Sequence, residues 1–94
     1  MPTSRTSIDT PNASRYLQQL CKHWSHKHAV TFDTCSGLID FGHSKCSLEA
    51  AGSILKLELS AHEASRLNHM EGVIATHLQR FARQESLSVD WALA

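Results

Sequence analysis

Lys45-Cys46-Ser47-Leu48-Glu49-Ala50 and Leu55-Lys56-Leu57-Glu58-Leu59, separated by the turn Ala51-Gly52-Ser53, decide the fold class. In both runs apolar and polar side chains alternate with a period of two, the spacing that sends successive side chains to opposite faces of a strand. Cys46, Leu48 and Ala50 oppose Ser47 and Glu49, and Leu55, Leu57 and Leu59 oppose Lys56 and Glu58. Strands of this kind make a sheet with one buried and one wet face, the habit of antiparallel pairing. A second apolar layer must then cover the buried face.

Two helical segments supply that layer. Upstream, Asn12 after Pro11 is an expected N-cap, with Ser14 a second candidate, and Ala13, Leu17, Leu20, Cys21, Trp24 and His28 fall on one stripe at helical spacing. This helix is expected to end near His28. Downstream, Ser60 with Glu63 three residues on reads as a capping box, followed by the stripe Ala64, Leu67, Met70, Ile74, Leu78 and Phe81. Arg80 and Arg83 suit the end of that helix, where the macrodipole favours cations. Val30–Asp33 and Leu38–Phe41 are further strands, divided by the hairpin-like Thr34-Cys35-Ser36-Gly37. Thr6–Asp9 reads as a short first strand and the alternating Leu87–Trp91 as a last one, with residues 1–5 expected to fray. The predicted fold is therefore α+β: a two-layer sandwich in the order β-α-β-β-β-β-α-β. A mainly antiparallel sheet of five to six strands carries two helices on one face. Trp24, Leu57, Ile74, Phe81 and Trp91 are the expected core.

A chain of 94 residues is expected to form one domain around one core. Nine basic and nine acidic side chains cancel, which argues against a nucleic-acid reader, because such a protein carries a basic excess. Specific duplex binding at submicromolar strength and physiological salt would contradict this expectation. The first ten residues hold no apolar core of a leader, no run is long enough to span a membrane, and the three cysteines show no C-x-x-C spacing. The cytoplasm is the expected home. Cys21 and Cys46 fall on buried faces, and Cys35 falls in a turn.

Ser14-Arg15-Tyr16-Leu17, Leu20-Cys21-Lys22-His23-Trp24 and His26-Lys27, with His77-Leu78, Arg80-Phe81-Ala82 and the closing Val89-Asp90-Trp91, resemble a small bacterial family known as domain of unknown function 2218. The resemblance runs over nearly the whole chain. It implies a stand-alone bacterial domain, and because members occur beside or fused to siderophore-interacting proteins it also implies an iron- or siderophore-related protein partner. It brings no catalytic residues and no named cofactor.

Seven histidines are many for this length. At about 100° per residue, His26 points away from the buried side of the first helix, whereas Tyr16, His23 and Lys27 line one border of it. His77 falls within the apolar stripe of the second helix, as a half-buried imidazole. If the two borders adjoin, Tyr16, His23 and His77 meet. His23 and His77 are then the candidate metal ligands, and Tyr16, His23, Lys27 and His77 the candidate ligand-binding set. The plainer role for His77 is packing, with its ring bonded to backbone or to Tyr16. No nucleophile elbow, phosphate loop or dinucleotide fingerprint is present. The leading expectation is a non-enzymatic binding or accessory module, free of nucleic-acid or membrane partners and with room for a homodimer. The rival is a small enzyme or metal protein using His23, Tyr16 and His77.

Overall fold

The structure, a computed structural model describing residues 1–94, shows six strands and two helices in the expected order. They are β1 (Thr3–Asp9), α1 (Ala13–Trp24), β2 (Ala29–Phe32), β3 (Ser36–Asp40), β4 (Ser44–Ala51), β5 (Ile54–Ala61), α2 (Ala64–Phe81) and β6 (Ala92–Leu93). The sheet runs β2-β3-β4-β5-β1-β6, and all its pairings are antiparallel. The two quoted runs form its centre. Cys46 stands opposite Leu59, Leu48 opposite Leu57 and Ala50 opposite Leu55, so their apolar sets share a face. Ile39 and Ile8 extend the same face into β3 and β1. Both helices cover it, and 20 buried residues form one apolar cluster between the layers.

Several boundaries differ from the sequence reading, each for a local reason. β1 starts at Thr3 and does not fray, because Thr3 pairs with Ser60 at the far end of β5. Its inward residues Ser4, Thr6 and Ile8 are all buried, but two are hydroxyl residues, so hydropathy hides the alternation. The Ser4 hydroxyl donates to the Glu71 carboxylate of α2, which removes the cost of burying it. Ser60 does not cap α2. It lies within β5, flanked by ladders on both sides, and these bonds outweigh one cap. Glu63 instead occupies the N-cap position, in extended conformation and without a side-chain cap bond.

α1 ends at Trp24 rather than His28. The amides of Lys27 and His28 still donate to the Trp24 carbonyl, so a loose turn prolongs the helical rotation before β2 begins. Leu87–Trp91 is not a strand. Leu87, Val89 and Trp91 are half-buried against the core while Ser88 and Asp90 are exposed, and only Ala92–Leu93 pair with β1. A period of two reports an extended backbone with one packed side, and such a backbone need not join a ladder. Phe81 and Trp91 are accordingly half-buried rather than core, whereas Trp24, Leu57 and Ile74 are buried.

Candidate functional site

The C-terminal turn of α1 and the C-terminal half of α2 meet through their rings. The His23 and His77 centroids lie 4.9 Å apart, and His77 lies 4.8 Å from the Trp24 ring. Phe81 closes one side at 6.0 Å from His23. On the other side Trp24 meets Phe41 edge-on at 5.3 Å, and the Phe41 ring contacts His28 at 4.9 Å. The i, i+4 step from His77 to Phe81 and the adjacency of His23 and Trp24 build this flank from helix geometry alone. Phe41 and His28 join it through the loose turn after α1 and the end of β3, which spacing within a helix does not reveal.

His77 is half-buried, and its Nδ1 lies 2.7 Å from the Val73 carbonyl oxygen. A carbonyl only accepts, so Nδ1 donates, and Nε2 is the nitrogen left without a protein partner. His23 is exposed, and partial desolvation, reinforced by His77, His26 and Lys27, lowers its pKa below the usual imidazole value. Lys27 is exposed in the turn beyond α1. His43 stacks on Phe41 at 6.3 Å and is likewise lowered, first by desolvation and then by Arg66, His28, His62 and His69. Histidines of the turn after α1, of the β3–β4 turn and of both ends of α2 thus share one side of the molecule.

Tyr16 is placed differently from its expected boundary position. It is buried, and its hydroxyl donates to the Glu85 carboxylate just beyond α2. Asn12 Nδ2 and Thr10 Oγ1 donate to the same carboxylate, each at 2.7 Å. The structure therefore brings His23 and His77 together, while the Tyr16 hydroxyl is committed to a clasp between the start of α1 and the segment after α2. Glu85 lies 69 residues from Tyr16, and no local pattern announces it.

The clasp has a consequence for pH. The hydrogen bonds from Tyr16, Asn12 and Thr10 hold the Glu85 carboxyl below its usual value of 4.5. A depressed carboxyl contributes stability that is present above the unfolded pKa and lost as pH falls through the folded one. Glu85→Gln is therefore expected to lower the urea midpoint at pH 7, and wild type and variant should converge as acid protonates the carboxylate. A gap that persists unchanged into acid would contradict the clasp. The same hydrogen bond, with burial, raises the pKa of Tyr16.

No group of three or more His, Cys, Asp or Glu side chains gathers as a metal set. The thiols offer little reactivity either. Burial pushes Cys21 up to about 11 and raises Cys46 further, and a protonated thiol is a poor nucleophile and metal ligand. Neither imidazole lines a substantial concavity: one of about 510 Å³ lies beside Pro11, Ser14 and Gln18, one of about 390 Å³ lies against the sheet beside Arg5, Ser7, Lys56 and Glu58, and one of about 260 Å³ lies beside Arg15, Tyr16 and Glu85. No helix is long and apolar enough to cross a membrane.

Comparison with solved structures finds a close likeness to the NMR structure of PA4090 from Pseudomonas aeruginosa. The two share 41% sequence identity over 98% of this chain and 96% of that one, with a TM-score of 0.83. No match was found among the curated proteins. Residues 5–92 match the bacterial family described as "Uncharacterized protein conserved in bacteria (DUF2218)", and the chain belongs to that family.

Proposed function

We propose that the chain is a non-enzymatic binding module whose recognition surface is the flank of His23, Trp24, His77 and Phe81, with Lys27 at its rim. The observation that carries this reading is the meeting of the exposed His23 ring with the half-buried His77 and Phe81 rings of the other helix, backed by the buried Trp24 ring. Aromatic rings with a polar edge are the side chains that anchor protein interfaces, because they bury much area at low entropic cost. An enzyme using His23, Tyr16 and His77 would need all three to converge in a water-excluding pocket. The clasp on Tyr16 disfavours that arrangement.

The siderophore association implied by the family resemblance makes a siderophore-interacting protein the first partner to test. Direct iron binding has less to support it, since ferric iron seeks a set of hard oxygen ligands and no such cluster is present. A second reading, a two-imidazole metal contact, is favoured by one observation. The bond from His77 Nδ1 to Val73 fixes the ring with Nε2 free, as metal-bound histidines are commonly held.

The test is an NMR titration of the isotopically labelled chain with a siderophore-interacting protein of the same organism. The His23, Trp24, Lys27 and Phe81 signals are expected to shift. His77→Leu should fold normally and weaken binding about tenfold or more, the effect of losing one central anchor. No shift at all, or shifts confined to the open sheet face, would sink the proposal. A parallel titration with zinc and ferrous ions decides the metal reading, which fails if neither ring nitrogen of His23 or His77 moves.

A further inference from the structure

The edge strand β2, Ala29-Val30-Thr31-Phe32, has β3 on one side and nothing on the other. Asp33 N–H donates to the Ser36 carbonyl at 2.9 Å, which marks Asp33–Ser36 as a hydrogen-bonded pair. Hydrogen-bonded and non-bonded pairs alternate in an antiparallel ladder, so Thr31–Leu38 is bonded and Val30–Ile39 and Phe32–Gly37 are not. The amides and carbonyls of Val30 and Phe32 therefore face outward, and no loop or side chain bonds them.

The strand carries none of the usual protection for such an edge. It has no lysine, proline or other charge between Ala29 and Phe32, and Phe32 and its neighbour Leu38 are 42% and 43% exposed. The opposite edge is blunted, because β6 has only two residues.

We propose that β2 is the docking edge for a second copy of this chain, which joins it antiparallel about a two-fold axis through Thr31. In that register Val30 of each copy stands opposite Phe32 of the other. These are the residues whose backbone groups are free, and four hydrogen bonds close without any shift of the ladder. Val30 and Phe32 lie on the helix side of the sheet, in line with Ile39 and Gly37, so the pairing also packs an aromatic ring on a β-branched side chain at each end. The charges support the same direction. Basic Lys27 and His28 precede the strand and acidic Asp33 follows it, so antiparallel pairing sets acid beside base in both halves, whereas parallel pairing would align like charges. Asp33 is well placed for this, because the amides of Cys35 and Ser36 stabilise its carboxylate and lower its pKa. The product is a continuous sheet through both copies.

Sedimentation and NMR of the wild-type chain over roughly 10 µM to 1 mM should show a reversible dimer, the strength a small interface allows. Concentration-dependent shifts should centre on the amides of Val30 and Phe32. Thr31→Lys puts two like charges face to face on the axis, at an exposed position, and should abolish the dimer while leaving the monomer spectrum intact. Thr31→Ser controls for folding and should dimerise. A chain that stays monomeric to 1 mM, or a dimer that survives Thr31→Lys, would overturn the proposal.

Discussion

Replacing Ile74 by alanine is expected to lower the unfolding free energy by about 2–5 kcal/mol, the usual cost of emptying a buried aliphatic site. Ile74 is 1% exposed, in the middle of α2, and belongs to the apolar cluster under the two helices. Ile74 shares this cluster with Met70 and Leu78 of the same helix and with Leu55, Leu57 and Leu59 of β5, so the space left behind lies between the two layers. Collapse of α2 onto the sheet could recover part of the loss, but the Ser4–Glu71 bond near the middle of the helix and the Glu85 clasp beyond its C-terminus restrain it. For a domain of this size the total stability is about 5–15 kcal/mol, so the substitution removes a large share and should lower Tm by about 10 °C or more. Urea unfolding of the two proteins checks it. A loss below about 1 kcal/mol would mean that α2 presents a different face to the sheet.

The elements legible in the sequence were those whose apolar residues repeat at one period. β4 and β5 alternate strictly, and α1 and α2 carry stripes, so their existence, order and layer follow directly. The boundaries were less legible because they are set by partners distant in sequence. Ser60 reads locally as a cap, yet Thr3 recruits it into a ladder. Leu87–Trp91 reads as a strand, yet its alternation reports packing against the core and its backbone joins no ladder before Ala92.

The candidate site divides the same way. Spacing puts His23 on the border of one helix and His77 within the apolar stripe of the other, and the structure places their rings 4.9 Å apart. Tyr16 stood on the same border, but its hydroxyl turns toward Glu85, and nothing in a period of 3.6 reveals a carboxylate beyond the end of the other helix. Phe41 and His28 extend the flank through non-helical backbone, where no periodicity operates.

The helix layer also depends on a residue that has no side chain. Gly37 lies in β3 on the buried side, in register with Phe32 and Leu48, directly under α1. A Cβ at that position would stand 2.6 Å from Cys21 Sγ, 3.2 Å from Phe32 Cβ and 3.6 Å from Leu17 Cδ2. The first distance is below any tolerated carbon–sulfur contact, and Cys21 is wholly buried, so its thiol has little room to turn aside. Gly37→Ala would gain about 0.5–1 kcal/mol from a less flexible unfolded chain, but forcing one carbon into a filled layer costs about 1–3 kcal/mol, and the clash should win. α1 must then lift from the sheet. Two measurements follow from that. The variant should unfold at lower denaturant, and Cys21, whose burial now keeps it a protonated thiol with a pKa of about 11, should react faster with a disulfide reagent. Combining Gly37→Ala with Cys21→Ala removes the sulfur that the new methyl meets. The double variant should be more stable than the sum of the single losses predicts, by about 0.5–3 kcal/mol, as expected of residues in direct contact. Strict additivity, or a Gly37→Ala protein as stable as wild type, would mean that α1 does not rest on β3 at this point.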